Sequence, residues 1–312
     1  GDYFAMAGIQ LNCPNRQSDV SSPVGERLVS AADMMTPFKV VGYGSYAPRT
    51  ARPSTDLDAL FGEPVGWTEE RFGIRTRAVA APDETSSIMG AAAARRAIEM
   101  AGWGHGDFDV LVGACAVMEQ PIPGTSVLIQ DALALGKSGI WAFDVNQTCL
   151  SFLTALDIVA MGFAAGRFRR AVIVASDIAS AGLDPNDRQT FSIFGDGAAA
   201  VCVEASEDKD GPGLLSRKFE TYGEGKDLAT LRSGGTRVRA DATDALMEGS
   251  KFRMDACGIF KAAARGLPKR LDRVLKDAGV DRETVDLVVC HQASHPGVEH
   301  VRRLMGGDPG RI

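Results

Sequence analysis

Ala97-Ile-Glu-Met-Ala-Gly102, followed by Phe108-Asp-Val-Leu-Val-Gly-Ala-Cys-Ala-Val117, returns along the chain as Val274-Leu-Lys-Asp-Ala-Gly279, followed by Val285-Asp-Leu-Val-Val-Cys-His-Gln-Ala-Ser294. The offset is a constant 177 positions, Ala97 to Val274 and Phe108 to Val285, with no gap. Each copy reads as a helix end stopped by glycine, then an apolar strand. A unit of this kind found twice predicts two related halves.

Around the first copy, helices and strands alternate. The pattern predicts a helix from Thr85 to Met100, capped by Thr85 or Ser86, and a strand from Asp109 to Val117. A helix from Ser126 to Leu135 and a strand from Ile140 to Val145 follow. Next come a helix opened by Cys149, a strand from Arg170 to Ser176 and a strand from Ala198 to Val203. Such alternation implies a largely parallel sheet covered by helices. In the second copy the helix Pro296 to Met305 and the turn Gly306-Gly307 lead to Arg311-Ile312, where the first copy begins its strand before Cys149. By the length of the first copy, about 65 further residues are expected, and the second half reads as incomplete. The expected division is an arm or leader over 1–37, a first half with the nucleophile over 38–206, and a second half over 207–312. The arm is rich in Ser, Asp, Asn and Pro and weakly periodic.

The 312 residues, 45% of them hydrophobic, are enough to bury a substantial core. A net charge of −6 gives no general attraction to nucleic acid or anionic membranes, so neither partner is expected. The longest apolar run, Leu150 to Met161, is broken by Ser151, Thr154 and Asp157, which suits a core helix better than a membrane span. The six cysteines form no CxxC pair. Cys115, Cys202 and Cys290 lie in strand-like runs where reduced thiols are expected, and with no secretory leader pattern the chain reads as cytoplasmic.

Cys149 carries the chemical interest. Gly139-Ile-Trp-Ala-Phe-Asp-Val-Asn-Gln-Thr-Cys149 reads as a strand running into a turn, with Cys149 at the start of the next helix. Unpaired N–H groups and the helix dipole favour thiolate there. The default reading of a lone cysteine in an apolar region is an inert core thiol. His291 weighs against that default, since it ends the second-copy strand, and ligands in open α/β sheets gather beyond carboxyl strand ends. His105, in a polar turn, and His300, on a helix face, read as solvated, and His295 is ambiguous. No His or Cys pair has zinc-ligand spacing, so no metal is expected. Gly195-Asp-Gly197 reads as a structural turn, because no phosphate-binding pattern surrounds it.

At these residues the chain resembles the thiolase superfamily, and most closely β-ketoacyl-acyl-carrier-protein synthase III, over about residues 38 to 312. The likeness rests on Gly42-Tyr-Gly-Ser-Tyr-Ala-Pro48, Trp67-Thr-Glu-Glu-Arg-Phe-Gly-Ile-Arg75, Ala97 to Gly102, Asp144-Val-Asn-Gln-Thr-Cys149, Asp184-Pro-Asn-Asp-Arg188, Ile193-Phe-Gly-Asp-Gly-Ala198 and His291-Gln-Ala293, in that order. It implies a thiolase-like αβαβα sandwich of two pseudo-symmetric halves, usually a homodimer. It also implies that Cys149 is acylated, its N–H serving the oxyanion hole, and that His291 stabilises an enolate. Trp67 and Arg188 match positions that sandwich the coenzyme A adenine, and Arg71 matches a coenzyme A contact. Ile122 and Phe194 match the acyl pocket, Ile122 standing where a partner subunit usually contributes Phe. Arg302 and Arg303 are candidates for docking an acidic carrier protein, against the plainer reading of a solvated helix face.

The chain departs from the family pattern in places. The family's third catalytic residue, an Asn in a Gly-Asn motif, is expected beyond Ile312, and so is a Gly-rich loop of the oxyanion hole. Ser294 and Cys257 align with family Asn positions, and Gln147 and Thr148 are also unusual.

The implied reaction is decarboxylative condensation of a Cys149-bound acyl group, taken from acyl-CoA, with malonyl-acyl-carrier-protein. No cofactor is implied beyond the coenzyme A thioester as substrate. The unusual residues keep open acyl transfer to an alcohol or amine, or head-to-head condensation, without decarboxylation. A non-catalytic acyl-CoA-binding or chain-length-factor-like subunit is the other alternative, opposed by the presence of both Cys149 and His291.

Overall fold

The computed structural model describes residues 35–292 and 294–312, so residues 1–34 of the expected arm lie outside the described part. Six strands form the main sheet. They are β1 (Thr36–Tyr46), β2 (Val110–Gly113), β3 (Trp141–Asp144), β4 (Arg170–Ile178), β5 (Asp196–Ala205) and β6 (Gly213–Leu214), in spatial order β3-β2-β4-β5-β1-β6. The pairs β3-β2 and β2-β4 are parallel, and β5 runs antiparallel to both β4 and β1.

Period-two alternation sorts the strand residues between two helix layers. Leu111, Val172 and Val174 pack with Met89, Ala93 and Ala97 of α1 (Ser86–Met100) and with Ile129 of α2 (Thr125–Ala132). Their neighbours Val110, Val112 and Ile173 face the other way, onto Ala155, Val159 and Phe163 of α3 (Ser151–Ala164). Each fully buried Leu, Ile or Val contributes about 1.5–3 kcal/mol, so the two layers clamp β2 and β4 firmly.

The approach of α1 to β1 is close because both sides are small. A Cβ on Gly42 would lie 2.2 Å from the carbonyl oxygen of Ala97, and one on Gly44 would lie 2.3 Å from that of Ala93. Larger residues at either position would push the helix off the sheet.

The repeat is visible in the helix ends. Gly102, at φ +67°, donates to the Glu99 carbonyl, and Trp103 donates to that of Ile98. Gly279, at φ +66°, ends α4 (Ala256–Ala278), donating to the Lys276 carbonyl while Val280 donates to that of Leu275. Every one of these residues has its counterpart at the same offset, so the same left-handed glycine cap closes both helices.

Three expectations need correction. The run Val285 to Cys290 forms no strand. Its one backbone bond to the region beyond is Val288 N–H to the Arg311 carbonyl at 2.8 Å, and Val289 is 87% exposed. A strand is held by its ladder, and among the described residues no neighbouring strand supplies one. Second, α3 is covered on one side only, with Leu153 and Met161 exposed on the other. Third, His300 of α5 (His295–Leu304) is not solvated, since its Nε2 is closed off and unpartnered beside Phe260. No residue of α4 or α5 is fully buried, although both are amphipathic.

Candidate active site

Cys149 sits on a locked elbow between β3 and α3. At the end of β3, the Asp144 carboxylate accepts the N–H groups of Thr125 and Ser126, each at 2.7 Å, and so caps α2. Beyond it the backbone turns sharply. Thr148 takes a left-handed φ of +51°, and a 3-10 turn, Thr148–Leu150, carries Cys149 into α3. A non-glycine residue in that region costs about 1–2 kcal/mol, and the surrounding hydrogen bonds offset it. Ser151 Oγ accepts from Gln147 N–H at 2.9 Å and donates to the Thr148 carbonyl at 2.7 Å. Asn146 accepts from Thr148 N–H at 3.2 Å through Oδ1 and donates to the Ala116 carbonyl at 3.2 Å through Nδ2. Thr154 donates to the Gln147 side chain.

These partners make structural sense of the unusual Asn-Gln-Thr before Cys149: polar side chains brace the turn. The sequence reading missed Asn146 and Ser151 as supports. The signal for them was two hydrogen-bonding residues three positions before and two after the nucleophile.

The electrostatics differ from the sequence expectation. Cys149 is exposed, yet protein packed around its sulfur pushes the thiol above its ordinary value, and the Asp177 carboxylate pushes the same way. The backbone N–H of Cys149 pulls it down. The helix-start field is present but is outweighed by desolvation and a nearby negative charge. Asp177, near the end of β4, accepts from Ala116 N–H at 2.8 Å and Val117 N–H at 3.0 Å, while its own burial raises it. Sequence reasoning missed Asp177; its signal was an acidic residue near the end of an apolar strand. Cys115 is buried and free, its thiol pushed up to about 12 by burial first and Asp177 second. It is an inert core thiol.

His291 is exposed and forms no hydrogen bond with Cys149 or with any other described residue. The segment carrying it has no strand ladder among the described residues. Ser294 Oγ, at a family Asn position, accepts from Gly297 N–H at 3.3 Å and caps α5.

The residues matched to coenzyme A positions lie together. Trp67 opens a short helix, Trp67–Phe72, whose start is held by the buried Asp58 carboxylate accepting from Gly66 N–H at 2.7 Å and Thr68 N–H at 2.8 Å. The Arg71 guanidinium lies 5.4 Å from the Trp67 ring centre. Arg188 lies 5.6 Å from the ring centre of Phe61, bonds the Phe61 carbonyl at 3.0 Å and pairs with Glu63. Phe61 stands edge-on to Trp67 at 6.3 Å, so Trp67 and Arg188 flank one aromatic side chain.

Ile122 is 86% exposed on the loop before α2. Phe194 is half-buried, edge-on to Phe252 at 5.5 Å, and lines a cavity of about 190 Å³ that Cys149 does not border. Arg302 is committed within its own helix region, forked onto Glu299 and bonded to the Gly307 carbonyl. Arg303 is exposed. Among the described residues no group of three or more His, Cys, Asp or Glu is placed to hold a metal ion, and no helix is long and apolar enough to cross a membrane.

A mixed sheet covered by helices on both faces, with an exposed cysteine on a braced turn between a strand and a helix, is the arrangement of a thiolase-like acyl-transferring enzyme. Residues 143–223 match the family model of 3-oxoacyl-[acyl-carrier-protein] synthase III. The β-ketoacyl-[acyl-carrier-protein] synthase III of Salmonella paratyphi A is 37% identical over 257 residues, covering 82% of this chain and 77% of that protein. Among solved structures, 3-oxoacyl-(acyl carrier protein) synthase III from Pseudomonas aeruginosa superposes with a TM-score of 0.79 at 28% identity, covering 88% of this chain and 82% of the other. The priming β-ketosynthase of the R1128 polyketide pathway gives 0.77 at 28%, covering 93% and 83%. The chain belongs to the β-ketoacyl-acyl-carrier-protein synthase III family.

Proposed function

We propose that Cys149 takes an acyl group from coenzyme A and passes it to the carbanion released from malonyl-acyl carrier protein, giving a 3-oxoacyl product. The Cys149 thiolate attacks the thioester carbonyl, the carbon–sulfur bond to coenzyme A breaks, and coenzyme A leaves as its thiolate. In the second half-reaction the malonyl carboxylate leaves as carbon dioxide. The resulting enolate carbon attacks the Cys149 thioester and the cysteine sulfur is expelled. Charge gathers on a thioester oxygen in both halves, where the Cys149 N–H and the His291 imidazole are the assigned donors.

The observation that carries this reading is the elbow: in a chain of this family, the exposed cysteine stands on a turn that four neighbouring side chains brace. Trp67, Arg71 and Arg188 are assigned to coenzyme A, Ile122 and Phe194 to the acyl pocket. Arg303 is the better placed of the two basic residues for an acidic carrier protein, because Arg302 is already paired. A homodimer is proposed through β3. Among the described residues it is the edge of the sheet, with no strand on its outer side, and Trp141, 51% exposed, leans there on Phe143 at 4.6 Å. A cytoplasmic location goes with this proposal.

Incubation with acetyl-CoA followed by peptide mass spectrometry tests the first step, with an acetyl increment expected on Cys149. A folded protein that gains no adduct would sink the reading. Addition of malonyl-acyl carrier protein tests the second, with loss of the adduct and release of carbon dioxide expected. An adduct that persists would contradict the condensation.

A further inference from the structure

Arg52 and Arg77 stand directly opposite each other on an antiparallel ribbon, Thr50–Pro53 against Thr76–Val79. Like charges in that register repel. Among the described residues neither guanidinium has an ion pair or a side-chain hydrogen bond, and the Arg77 Nε is closed to solvent without a partner. Burial pushes Arg77 down to about 10, so it is still a cation at neutral pH. Both arginines line one cavity of about 190 Å³, whose other walls include Leu57, Val79, Phe191 and Phe194. The adjacent carboxylate, Asp196, is occupied, taking hydrogen bonds from Ala80 N–H, Ser180 N–H and Ser180 Oγ at 2.6–2.8 Å. Gly195 makes room for the arrangement, since a Cβ there would lie 3.2 Å from the Arg77 Cδ.

A half-buried cation with its Nε closed off and no ion pair, faced by a second one, is an arrangement that a bound anion relieves. Planar guanidinium forks match the oxygens of a phosphate group, and apolar walls strengthen the attraction by excluding water. We propose that the cavity between Arg52 and Arg77 binds a phosphate-class oxyanion. Free phosphate and a phosphate carried on coenzyme A present the same chemistry. Cys149 does not border this cavity, although Phe194, assigned above to the acyl pocket, is one of its walls.

The test titrates the full chain with inorganic phosphate, and separately with coenzyme A, by calorimetry and thermal unfolding at an ionic strength fixed with chloride. Phosphate is expected to raise the unfolding temperature, and R77Q and R52Q are each expected to bind it at least about tenfold more weakly. In chloride alone both variants are expected to unfold no earlier than the unaltered chain, because a repulsion has been removed. A purely structural arginine would lower that temperature instead, and that result counts against the site. If phosphate has no effect but R77Q binds coenzyme A at least about tenfold more weakly, the anion is the carried one. Should R77Q and R52Q bind both ligands as the unaltered chain does, or should neither ligand bind, the proposal is overturned.

Discussion

Ser151 holds Thr148 in a backbone conformation that threonine rarely adopts: the Ser151 Oγ donates to the Thr148 carbonyl at 2.7 Å while Thr148 stands at φ +51°. The same hydroxyl accepts from Gln147 N–H, so one buried atom ties the residues on both sides of the bend. Replacing Ser151 with Ala leaves Gln147 N–H without its acceptor and frees the Thr148 carbonyl. The expected loss of stability is about 1–3 kcal/mol. Because the nucleophile then wanders, acylation is expected to slow by about tenfold or more, with KM for acyl-CoA little changed. Thermal unfolding and single-turnover acylation read the two effects. An S151A enzyme that acylates at the original rate would show that the elbow needs no brace.

Asp177 adds to burial in raising the pH at which Cys149 becomes reactive. Desolvation first and the Asp177 charge second raise the thiol, so thiolate is scarce at neutral pH and the alkylation rate of Cys149 is expected to climb through the alkaline range. D177N removes the charge and keeps an oxygen that can accept from Ala116 and Val117 N–H. Loss of a nearby negative charge lowers the cost of forming thiolate, so the whole profile moves to lower pH. Iodoacetamide inactivation measured from neutral to alkaline pH checks the direction. A profile that stays in place, or moves to higher pH, refutes the coupling.

The parts of this molecule that follow from local pattern were legible in the sequence. The alternation Val110-Leu111-Val112 sets two faces, and Gly102 and Gly279 mark the same helix end twice. What escaped depends on tertiary closure. Asn146 finds its acceptor in Ala116, and the Ser151 hydroxyl also lies 3.3 Å from the Cys115 carbonyl, a contact between the start of α3 and the chain beyond β2. Arg52 meets Arg77 only after the intervening helices fold back. The run Val285 to Cys290 has strand composition without a ladder, and no periodicity argument supplies a missing neighbour.

Trp67 is held from two directions, by Asp58 at the helix start and by the rings of Phe61 and Phe72. If its exposed part stacks on the adenine, W67A loses stacking and the neighbouring Arg71 cation contact, together about 1–2 kcal/mol. KM for acyl-CoA is then expected to rise about tenfold with kcat nearly intact, while W67F restores much of the affinity. Steady-state kinetics with acyl-CoA, alongside an acyl donor that lacks the adenine, separates recognition from packing. A rise in KM for both donors alike would assign Trp67 to packing alone.

In the proposed dimer, Trp141 and Ile122 would link assembly to substrate choice. β3 offers an unpaired parallel-sheet edge carrying an exposed tryptophan, a feature that proteins normally cover. Pairing two copies along this edge would extend the sheet across the dimer and bury Trp141, and W141K places a charge in the middle of that contact. It is expected to shift the chain from dimer to monomer in light scattering at micromolar concentration. Ile122, 86% exposed in the single chain, would enter the partner's acyl pocket in such a pair. Phe is bulkier than Ile, so I122F is expected to shorten the longest acyl-CoA that loads Cys149 and to leave the dimer intact. In W141K the same substitution is expected to change nothing, since no partner receives the side chain. A chain-length shift that persists in the W141K background would place Ile122 at its own subunit's site.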